Sequence, residues 1–483
     1  MKQPNILFIL SDQHSPYAGG YAGETQIDTP NLDRLAADGT YFSNCYCNSP
    51  LCVPSRASML AGRLPTQTGV WNNLQCLRTD EPTFVSCLSI AGYQTVLSGR
   101  MHFIGYDQRH GFETRLVGDV APTFPRKGRQ AALYGVLKGT PDQSRVCIEH
   151  SGAGQSAMTC FDREVTDETC RFLRERQDDR PLFMTVGFAN PHCPFVAPKA
   201  LYDKYMQRLP EHPHTLTEQE YQSLHPALQK FLDLRNAADI TAEELRRVRA
   251  AYYANIEYMD GLIGEICACA LEELGPDTIL IYASDHGEGA GRHGLFWKSN
   301  FYEASARVPL MFYAPHLFLG RGRVEELASL VDLAPTFLEL AGAPGLPDLD
   351  GTSLVPVLNG GRLSSDRSIV SQLIDIKGDQ PSAMIRQGPY KLIRYCGYPD
   401  MQLFDLEKDP DEDHDLGCDP AFADIRDALC RELSRTWDPD LAEKTLKKGI
   451  QNAGLFKRWV ETVRPTCYDE WWCPAENNYL IPE

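Results

Sequence analysis

The sequence predicts an α/β fold with a large, mostly parallel central sheet flanked by helices, followed by a smaller C-terminal α+β subdomain that contains a short antiparallel sheet. Short apolar runs rich in β-branched residues alternate with helical patterns along most of the chain, as in α/β proteins. The runs are continuously apolar, which suits strands that are covered on both faces. After about residue 365 the pattern changes to short strand-like pieces separated by turn residues.

Five apolar runs are the predicted strands of the central sheet, and most of them end abruptly at polar side chains. They span residues 6–10, 94–97, 182–188, 278–283 and 308–313. Open α/β sheets bind ligands at the carboxyl ends of their parallel strands. The polar residues that follow these runs are therefore candidates for a functional site.

Helical patterns lie between the runs. Residues 29–39 carry a capping threonine, a proline in the first turn and a terminal glycine, which together predict a short helix. A longer helix is predicted over residues 241–271 and a shorter one over residues 331–341. Residues 203–240 are polar and less periodic, and we expect them to form an insertion over one face.

Two domains are predicted: a large α/β domain of residues 1–365 and a C-terminal subdomain of residues 366–483. Short strands are expected in the second at residues 382–385, 390–394 and 402–406. The final stretch is rich in tryptophan and tyrosine. It could pack on its own body or on a neighbouring subunit of a homo-oligomer.

Composition and charge narrow the function classes. The chain has 483 residues, a net charge of −18 and 16 cysteines, and it is long enough to bury a core without disulfides. The acidic excess argues against nucleic acid and anionic membranes as partners. The first apolar run is too short for a signal peptide or a membrane span. We therefore expect a cytoplasmic protein with reduced thiols.

One cysteine lies in a distinctive segment. Cys52 stands just before a predicted helix that has Pro54 in its first turn and Gly62 at its end. The free amides and dipole of a helix start favour an anion and lower the pKa of a thiol. Arg56, on the first turn, could meet a tetrahedral oxyanion with two N–H groups. The alternative is a buried cysteine beside a helix cap.

Two pairs of polar residues follow predicted strands of the same sheet. Asp12 and Gln13 follow the first run, and Asp285 and His286 follow the run at residues 278–283. Two carboxylates, an imidazole and an amide would form a mainly oxygen site for a divalent cation. Each residue could instead simply cap a loop or helix.

Three further side chains matter only if they converge on the same edge. His102 and His192 each follow a predicted strand, where a lone histidine is usually a satisfied loop residue. Lys298 taken alone is expected to be a surface lysine.

Residues 52–56, Cys-Val-Pro-Ser-Arg, resemble the signature of the sulfatase family, Cys-X-Pro-Ser-Arg, and a Gly-Arg turn follows at residues 62–63. Other motifs of the family match in order at residues 4–12, 29–36, 284–288, 294–298, 307–310 and 403–410. The resemblance covers about residues 4–410. It implies an alkaline-phosphatase-like fold and the hydrolysis of a small-molecule sulfate ester.

In sulfatases a maturation system oxidises the signature cysteine to formylglycine, whose hydrated aldehyde is the nucleophile. The resemblance therefore implies formylglycine at Cys52 and a formylglycine-generating system as a partner. One geminal oxygen would attack sulfur and release the alcohol, and the second would expel sulfate, which divides one hard step into two easier ones.

The resemblance also implies a metal site and roles for the surrounding residues. The expected metal ligands are Asp12, Gln13, Asp285, His286 and modified Cys52. Ca²⁺ is the expected ion, with Mn²⁺, Mg²⁺ and Zn²⁺ as alternatives.

Arg56 would orient the nucleophile. His192 would be the acid for the leaving oxygen and His102 the base for the elimination, although these two roles could be exchanged. The residues expected to bind the substrate are Arg100, Asn73 and Lys298.

Two departures from the usual pattern indicate a branch of the family. Many sulfatases have adjacent aspartates where this chain has Asp12-Gln13, and Asp-Asn where it has Asp285-His286. This combination resembles choline sulfatases and phosphonate monoester hydrolases, and residues 97–112 look most like choline sulfatases.

The substrate is accordingly expected to be choline sulfate, an aryl sulfate or a sulfated sugar. A phosphonate or phosphate ester hydrolase with the same nucleophile is the enzymatic alternative. The presence of His102 and Arg100 favours a sulfatase over this alternative. Arg100 stands where the family usually has lysine, so the positive charge is kept with a different geometry. The other alternative is an inactive metal-binding homologue in which Cys52 stays a thiol.

Overall fold

The structure is a computed structural model that describes residues 3–124, 129–375, 380–466 and 469–482. Its strands are β1 (Ile6–Asp12), β2 (Thr40–Tyr46), β3 (Gln94–Gly99), β4 (Thr114–Arg115), β5 (Gly152–Gln155), β6 (Leu182–Pro191), β7 (Val196–Ala197), β8 (Ile279–Ser284), β9 (Arg307–Tyr313), β10 (Gly322–Ser329), β11 (Ser368–Asp375), β12 (Gln380–Gln387), β13 (Tyr390–Tyr395), β14 (Met401–Asp405) and β15 (Tyr479–Leu480).

The helices alternate with the strands over the first two thirds of the chain. They are α1 (Pro30–Asp38), α2 (Cys52–Ala61), α3 (Pro65–Thr68), α4 (Phe84–Ile90), α5 (Arg129–Tyr134), α6 (Arg145–Glu149), α7 (Ala157–Glu175), α8 (Lys199–Arg208), α9 (Glu218–Ser223), α10 (Pro226–Arg235), α11 (Ala242–Leu274), α12 (Glu303–Ala306), α13 (Leu333–Ala341), α14 (Val355–Leu358), α15 (Ala423–Leu433) and α16 (Pro439–Val463).

The central sheet has eight strands in the order β10-β2-β9-β8-β1-β6-β3-β4. Neighbouring strands are parallel, except that β9 runs antiparallel to both β2 and β8. The mostly parallel sheet predicted from the sequence is confirmed, and the five apolar runs form β1, β3, β6, β8 and β9. The sequence did not predict β10, because as an edge strand it exposes alternate side chains and lacks a continuous apolar run.

The central sheet is buried on both faces, which explains the continuous apolar runs. Side chains alternate between the faces of a strand, so Ile6, Phe8 and Leu10 of β1 enter one hydrophobic cluster and Leu7 and Ile9 enter another. Helices α2, α4 and α13 supply the first cluster, and α1, α7 and α11 supply the second. The helices predicted over residues 29–39, 241–271 and 331–341 are thus observed as α1, α11 and α13.

Phe337 of α13 is a central side chain of the first cluster. It is fully buried, and its ring centroid lies 5.4 Å from that of Phe8, 4.9 Å from Phe84 and 5.2 Å from Phe183. Replacing Phe337 with alanine should lower the free energy of unfolding by about 3–5 kcal/mol, because it leaves a cavity among these rings. Urea unfolding measures the change. Ile90→Ala, at a side chain 74% exposed, is the control, and equal shifts for both variants would contradict this account of the core.

The segment at residues 203–240 is more regular than the sequence predicted. It contains most of α8 and all of α9 and α10. Its periodicity is weak because only scattered side chains are buried, among them Tyr205, Phe231 and Leu232, which join the cluster around α11.

The C-terminal part contains the expected antiparallel sheet, in the order β11-β12-β13-β14. The three predicted strands are β12, β13 and β14, and β11 is an additional one. Trp437, 2% exposed, lies with side chains of α15 and α16 against this sheet. The predicted domain boundary at residues 365/366 falls shortly before β11 and stays a prediction.

A third, small sheet joins the end of the chain to its own body, in the order β15-β5-β7. Across the described ranges, no helix combines the length and the apolar character needed to cross a membrane. The fifteen cysteines that the structure describes are free thiols, and Cys467 lies outside the described residues.

Candidate functional site

Four adjacent parallel strands, β8, β1, β6 and β3, end at the same edge of the central sheet. Their register aligns Ser11 with Ser284, Leu10 with Gly187 and Gly99 with Gly187. The residues placed at this edge are Asp285 and His286 after β8, Asp12 and Gln13 at the end of β1, His192 after β6, and Arg100 and His102 after β3. The convergence that the strand-end pattern predicted is therefore observed.

Helix α2 brings Cys52 to this edge. The helix begins at Cys52 itself, one residue earlier than the sequence pattern indicated. Cys52 is 1% exposed, and its Sγ lies 3.6 Å from Asp12 Oδ1 and 3.2 Å from His286 Nε2. Asn73 Oδ1 accepts a hydrogen bond from Val53 N at 3.0 Å, which satisfies one of the free amides of the first turn. A contact between Asn73 and substrate stays a prediction.

Four ligand-type side chains form a buried cluster that could hold a metal ion. One ligand atom from each of Asp12, Cys52, Asp285 and His286 lies within 4.8 Å of the others. His286 Nδ1 is 3.1 Å from the Gly287 carbonyl oxygen, so Nδ1 donates to this oxygen and Nε2 faces the cluster, where it would offer a lone pair to a bound cation. Two carboxylates and an imidazole are a donor set that fits a divalent cation.

Two buried arginines orient the carboxylates of this cluster. Arg56 donates from Nε to Asp285 Oδ2 at 2.8 Å and from Nη2 to Asp12 Oδ2 at 3.2 Å. Arg100 Nε donates to the same Asp12 oxygen at 2.6 Å, and Arg100 Nη2 lies 3.3 Å from His102 Nδ1. Each carboxylate thus binds arginine through one oxygen and turns the other toward Cys52 and His286.

Lys298 is not the surface residue that the sequence suggested, because the preceding loop buries it to 1% exposure. Its Nζ donates to Gln13 Oε1, and Gln13 Nε2 donates to Glu288. The Glu288 carboxylate also accepts from Ala290 N at 2.8 Å and Trp297 N at 2.5 Å. Glu288 lies in a motif that the sequence identified, but nothing in that motif indicated its role. Gln13 as a metal ligand stays a prediction.

The electrostatics of the site favour an anion at residue 52. Burial raises the pKa of the Cys52 thiol, but the positive charges of Lys298 and His286 outweigh burial and hold the pKa well below its usual range. Burial lowers the pKa of Lys298, yet the negative charges of Cys52 and Asp12 bring it above the usual value. Burial raises the pKa of Asp285 despite the opposing charge of Arg56.

The two predicted histidines, His102 and His192, help through hydrogen bonding to hold the pKa of the Cys52 thiol below its usual range. His192 Nδ1 lies 2.6 Å from the Cys193 carbonyl oxygen, which leaves Nε2 free for the site.

Several residues of the site have positive φ angles, namely Gln13, His102, Trp297 and Ser299. Residues with such strained backbone conformations cluster at functional sites.

Two distant parts of the chain meet beside Lys298. Gln143 Nε2 lies 3.4 Å from Ser299 Oγ, and Arg235 Nε lies 3.4 Å from Gln143 Oε1. Gln143 and Arg235 therefore border the site. The sequence did not identify two buried aspartates, Asp119 and Asp162. Their carboxylates accept hydrogen bonds from backbone amides of the loops that carry His102 and His192.

Comparisons with known proteins agree with this geometry. The sulfatase family profile matches residues 4–343, and a profile for N-sulphoglucosamine sulphohydrolase, C-terminal, matches residues 291–438. A choline-sulfatase of Rhizobium meliloti (strain 1021) is 33% identical over 97% of this chain and 93% of that protein. Arylsulfatase K of Rattus norvegicus is 29% identical over 95% of this chain and 82% of that protein.

Among solved structures, a phosphonate monoester hydrolase of Agrobacterium radiobacter superimposes with a TM-score of 0.75 at 24% identity, covering 90% of this chain and 95% of that one. This likeness confirms the expected fold. The family profile spans most of the chain, and the similarity to the choline-sulfatase runs almost from end to end. The chain therefore belongs to the sulfatase family and is a sulfuric ester hydrolase.

Proposed function

We propose that the protein hydrolyses a small-molecule sulfate monoester with residue 52, converted from cysteine to formylglycine, as its nucleophile. The observation that carries this proposal is the position of Cys52 at the start of α2, with its Sγ 3.2 Å from His286 Nε2 and 3.6 Å from Asp12 Oδ1. Formylglycine at that position would supply a hydrated aldehyde, which is a better nucleophile than a water molecule.

A divalent cation completes the proposed site. The residues that would hold it are Asp12, Gln13, Asp285, His286 and residue 52. When bound there, the cation would polarise the sulfate and offset the charge that develops in the transition state. We favour Ca²⁺ because oxygen atoms dominate the donor set, with Mn²⁺, Mg²⁺ and Zn²⁺ as alternatives.

The other side chains of the site bind the substrate or transfer protons. Lys298 is a buried cation whose charge acts on Cys52 and Asp12, and it would contact a sulfate oxygen, as Arg100 and Asn73 would. Arg56 holds Asp12 and Asp285 in place. His192, with its Nδ1 committed to a carbonyl oxygen, would donate a proton to the leaving oxygen, and His102 would act as the base. The same geometry permits the exchange of these two roles.

The leaving group is proposed from the comparisons. The similarity to a choline-sulfatase favours choline sulfate, and aryl sulfates and sulfated sugars are the alternatives. A phosphonate or phosphate monoester is the second candidate substrate, favoured by the fold of the Agrobacterium radiobacter hydrolase. We prefer the sulfate because the similarity to the choline-sulfatase extends over 97% of this chain.

Substrate profiling tests this preference. The purified metal-loaded protein is incubated with choline sulfate, 4-nitrophenyl sulfate, glucosamine 6-sulfate and a phenyl phosphonate monoester, and the released anions are measured by ion chromatography. We expect inorganic sulfate from at least one sulfate ester at a higher kcat/KM than any phosphonate turnover. Faster hydrolysis of the phosphonate would favour the second candidate, and no turnover of any ester by a protein with a formylglycine at residue 52 would contradict both.

Replacing Lys298 with alanine should lower kcat/KM about 10²–10³-fold, because a buried positive charge that meets developing negative charge is removed. Lys298→Arg should recover part of the loss, since it keeps the charge with a different geometry. Steady-state kinetics on a sulfate ester measures both variants. Lys199→Ala, at a side chain 55% exposed and paired with Asp203, is the control. Full activity in Lys298→Ala would remove Lys298 from the proposed mechanism.

A formylglycine-generating system is proposed as a transient partner, since Cys52 must be oxidised before the site can work. The cytoplasmic location and a homo-oligomeric state stay predictions from the sequence.

A further inference from the structure

The Asp119 carboxylate binds the backbone of the loop that carries His102. Asp119 is 1% exposed, and its Oδ2 accepts hydrogen bonds from Met101 N at 2.9 Å and His102 N at 2.7 Å. Its Oδ1 accepts from Ala121 N at 2.9 Å. Buried amides need such partners, and His102 has a φ of 56°. The carboxylate of Asp119 therefore fixes the unusual backbone conformation from which the His102 ring projects.

The loop that carries His192 has a support of the same kind. Asp162 of α7 is fully buried and accepts from Ala189 N at 2.7 Å and from Asn190 N at 2.9 Å. It also accepts from the Asn190 side-chain amide at 2.7 Å. His192 follows two residues later, so Asp162 sets the direction in which the chain leaves β6 toward the site.

Three residues near the end of the chain, 469–471, bind the first of these supports. We call them the C-terminal strap. Asp119 N donates to Asp469 O at 2.7 Å, and Trp471 N donates to Asp119 O at 2.8 Å. The approach is close, since a Cβ atom added at Gly118 would lie 2.3 Å from Asp469 O. The backbone on both sides of the Asp119 carboxylate is thus tied to the strap.

The strap also binds α7, which carries the second support. Trp471 is 7% exposed, and its ring centroid lies 5.2 Å from that of Phe161, the residue next to Asp162. Trp471 Nε1 donates to Glu164 Oε2 at 2.9 Å. One tryptophan therefore joins the Asp119 segment to the part of α7 that holds the His192 loop.

We propose that the C-terminal strap is a positioning element of the catalytic site, which acts through Asp119 and Asp162 to hold His102 and His192 in register with residue 52. This inference rests on the proposed function, because it requires the two histidines to transfer protons. Asp119, Asp162 and Trp471 are positioning residues, since none of them reaches residue 52 directly.

Two variants test the proposal in the full-length, metal-loaded enzyme: Trp471→Ala, which removes the anchor of the strap, and Asp119→Asn, which removes one acceptor for the loop amides. We expect each to lower kcat about 10–100-fold while KM changes less than about threefold, because the reacting groups are misplaced but the sulfate-binding charges remain. Trp471→Phe should recover most of the loss, since it keeps the ring that packs on Phe161. Trp472→Ala, 46% exposed and outside the strap, is the matched control.

A second measurement separates positioning from stability. For a series of aryl sulfates, the dependence of kcat on the pKa of the leaving phenol should become steeper in Trp471→Ala, because this variant loosens the support of the His192 loop and a misplaced acid assists the leaving oxygen less. Asp119→Asn misplaces the His102 base and should lower kcat without this steepening. All assays are run at a temperature at which circular dichroism shows each variant folded.

Unchanged kcat in both variants and an unchanged leaving-group dependence in Trp471→Ala, even with a lower melting temperature, would overturn the proposal. If Trp471→Ala fails to fold, Asp119→Asn and Trp471→Phe decide the outcome. Failure of the proposed function would show itself differently, as an absence of sulfate release in the unmodified enzyme.

Discussion

Replacing Cys52 with alanine should reduce sulfate release at least about 10⁴-fold, because the proposed nucleophile derives from this side chain. Among the described residues, Cys52 is the one thiol in the cluster with Asp12, Asp285 and His286. Lys298 and the arginines would still attract the sulfate, so the loss should appear mainly in kcat. Ion chromatography of sulfate after long incubations measures the residual rate.

The control is Cys87→Ala, which removes another buried thiol, in α4. This variant should keep its activity and lose only stability, by the amount that a small cavity costs. Circular dichroism and thermal unfolding establish that Cys52→Ala is folded. A residual activity above about 1% of the unmodified enzyme would show that residue 52 is not the nucleophile.

Replacing Asp12 with asparagine should lower kcat/KM about 10³-fold, the second largest effect expected. Asp12 is the point at which Arg56, Arg100 and the metal cluster meet. Burial raises the pKa of Asp12, but the positive charges of Arg100, His192 and Arg56 together outweigh it and hold the pKa well below its usual range, so this carboxylate is ionised at neutral pH. The amide removes one of two carboxylate charges from the proposed cation site. Calorimetric titration with Ca²⁺ should show an affinity at least about tenfold lower.

Asp80→Asn is the matched control, because Asp80 is 71% exposed and pairs only with exposed Arg78 among the described residues. Removal of the metal from the unmodified enzyme gives an independent test that does not depend on folding of a variant. A chelator should abolish sulfate release, and the return of Ca²⁺ should restore it, with Mn²⁺, Mg²⁺ and Zn²⁺ as parallel arms. Full activity after chelation, together with an active Asp12→Asn variant, would contradict the proposed cation site.

The sequence predicts the central sheet well where strands are buried on both faces. In β1, β3, β6, β8 and β9 the burial itself requires an unbroken apolar run, and such runs are easily identified. The apolar-run pattern does not predict the edge strand β10, because Arg323 and Glu325 alternate with its apolar residues. In β2 polar residues also interrupt the run.

The strand-end rule identifies the cluster of Asp12, Asp285 and His286 from the sequence, because parallel strands bring their carboxyl ends together. It cannot identify Asp119 or Asp162. Their partners are backbone amides of distant loops, and a sequence does not show which amides will need an acceptor. Lys298 was expected at the surface for a similar reason, since its burial depends on the contacts of Glu288 within the preceding loop.

The net charge of −18 does not predict the positive charge inside the site. Arg56, Arg100 and Lys298 are all almost fully buried around residue 52. Long-range attraction by net charge would oppose an anionic ester, so binding must depend on this local positive group.

The central claim is that residue 52 is no longer a cysteine in the working enzyme. Mass spectrometry of the peptide that contains residue 52, from a preparation with measured sulfatase activity, tests it most directly. We expect the side chain to have lost one sulfur and two hydrogens and gained one oxygen, with a fraction of aldehyde that rises in proportion to kcat across preparations. A fully active preparation in which residue 52 is entirely an unmodified thiol would contradict the claim.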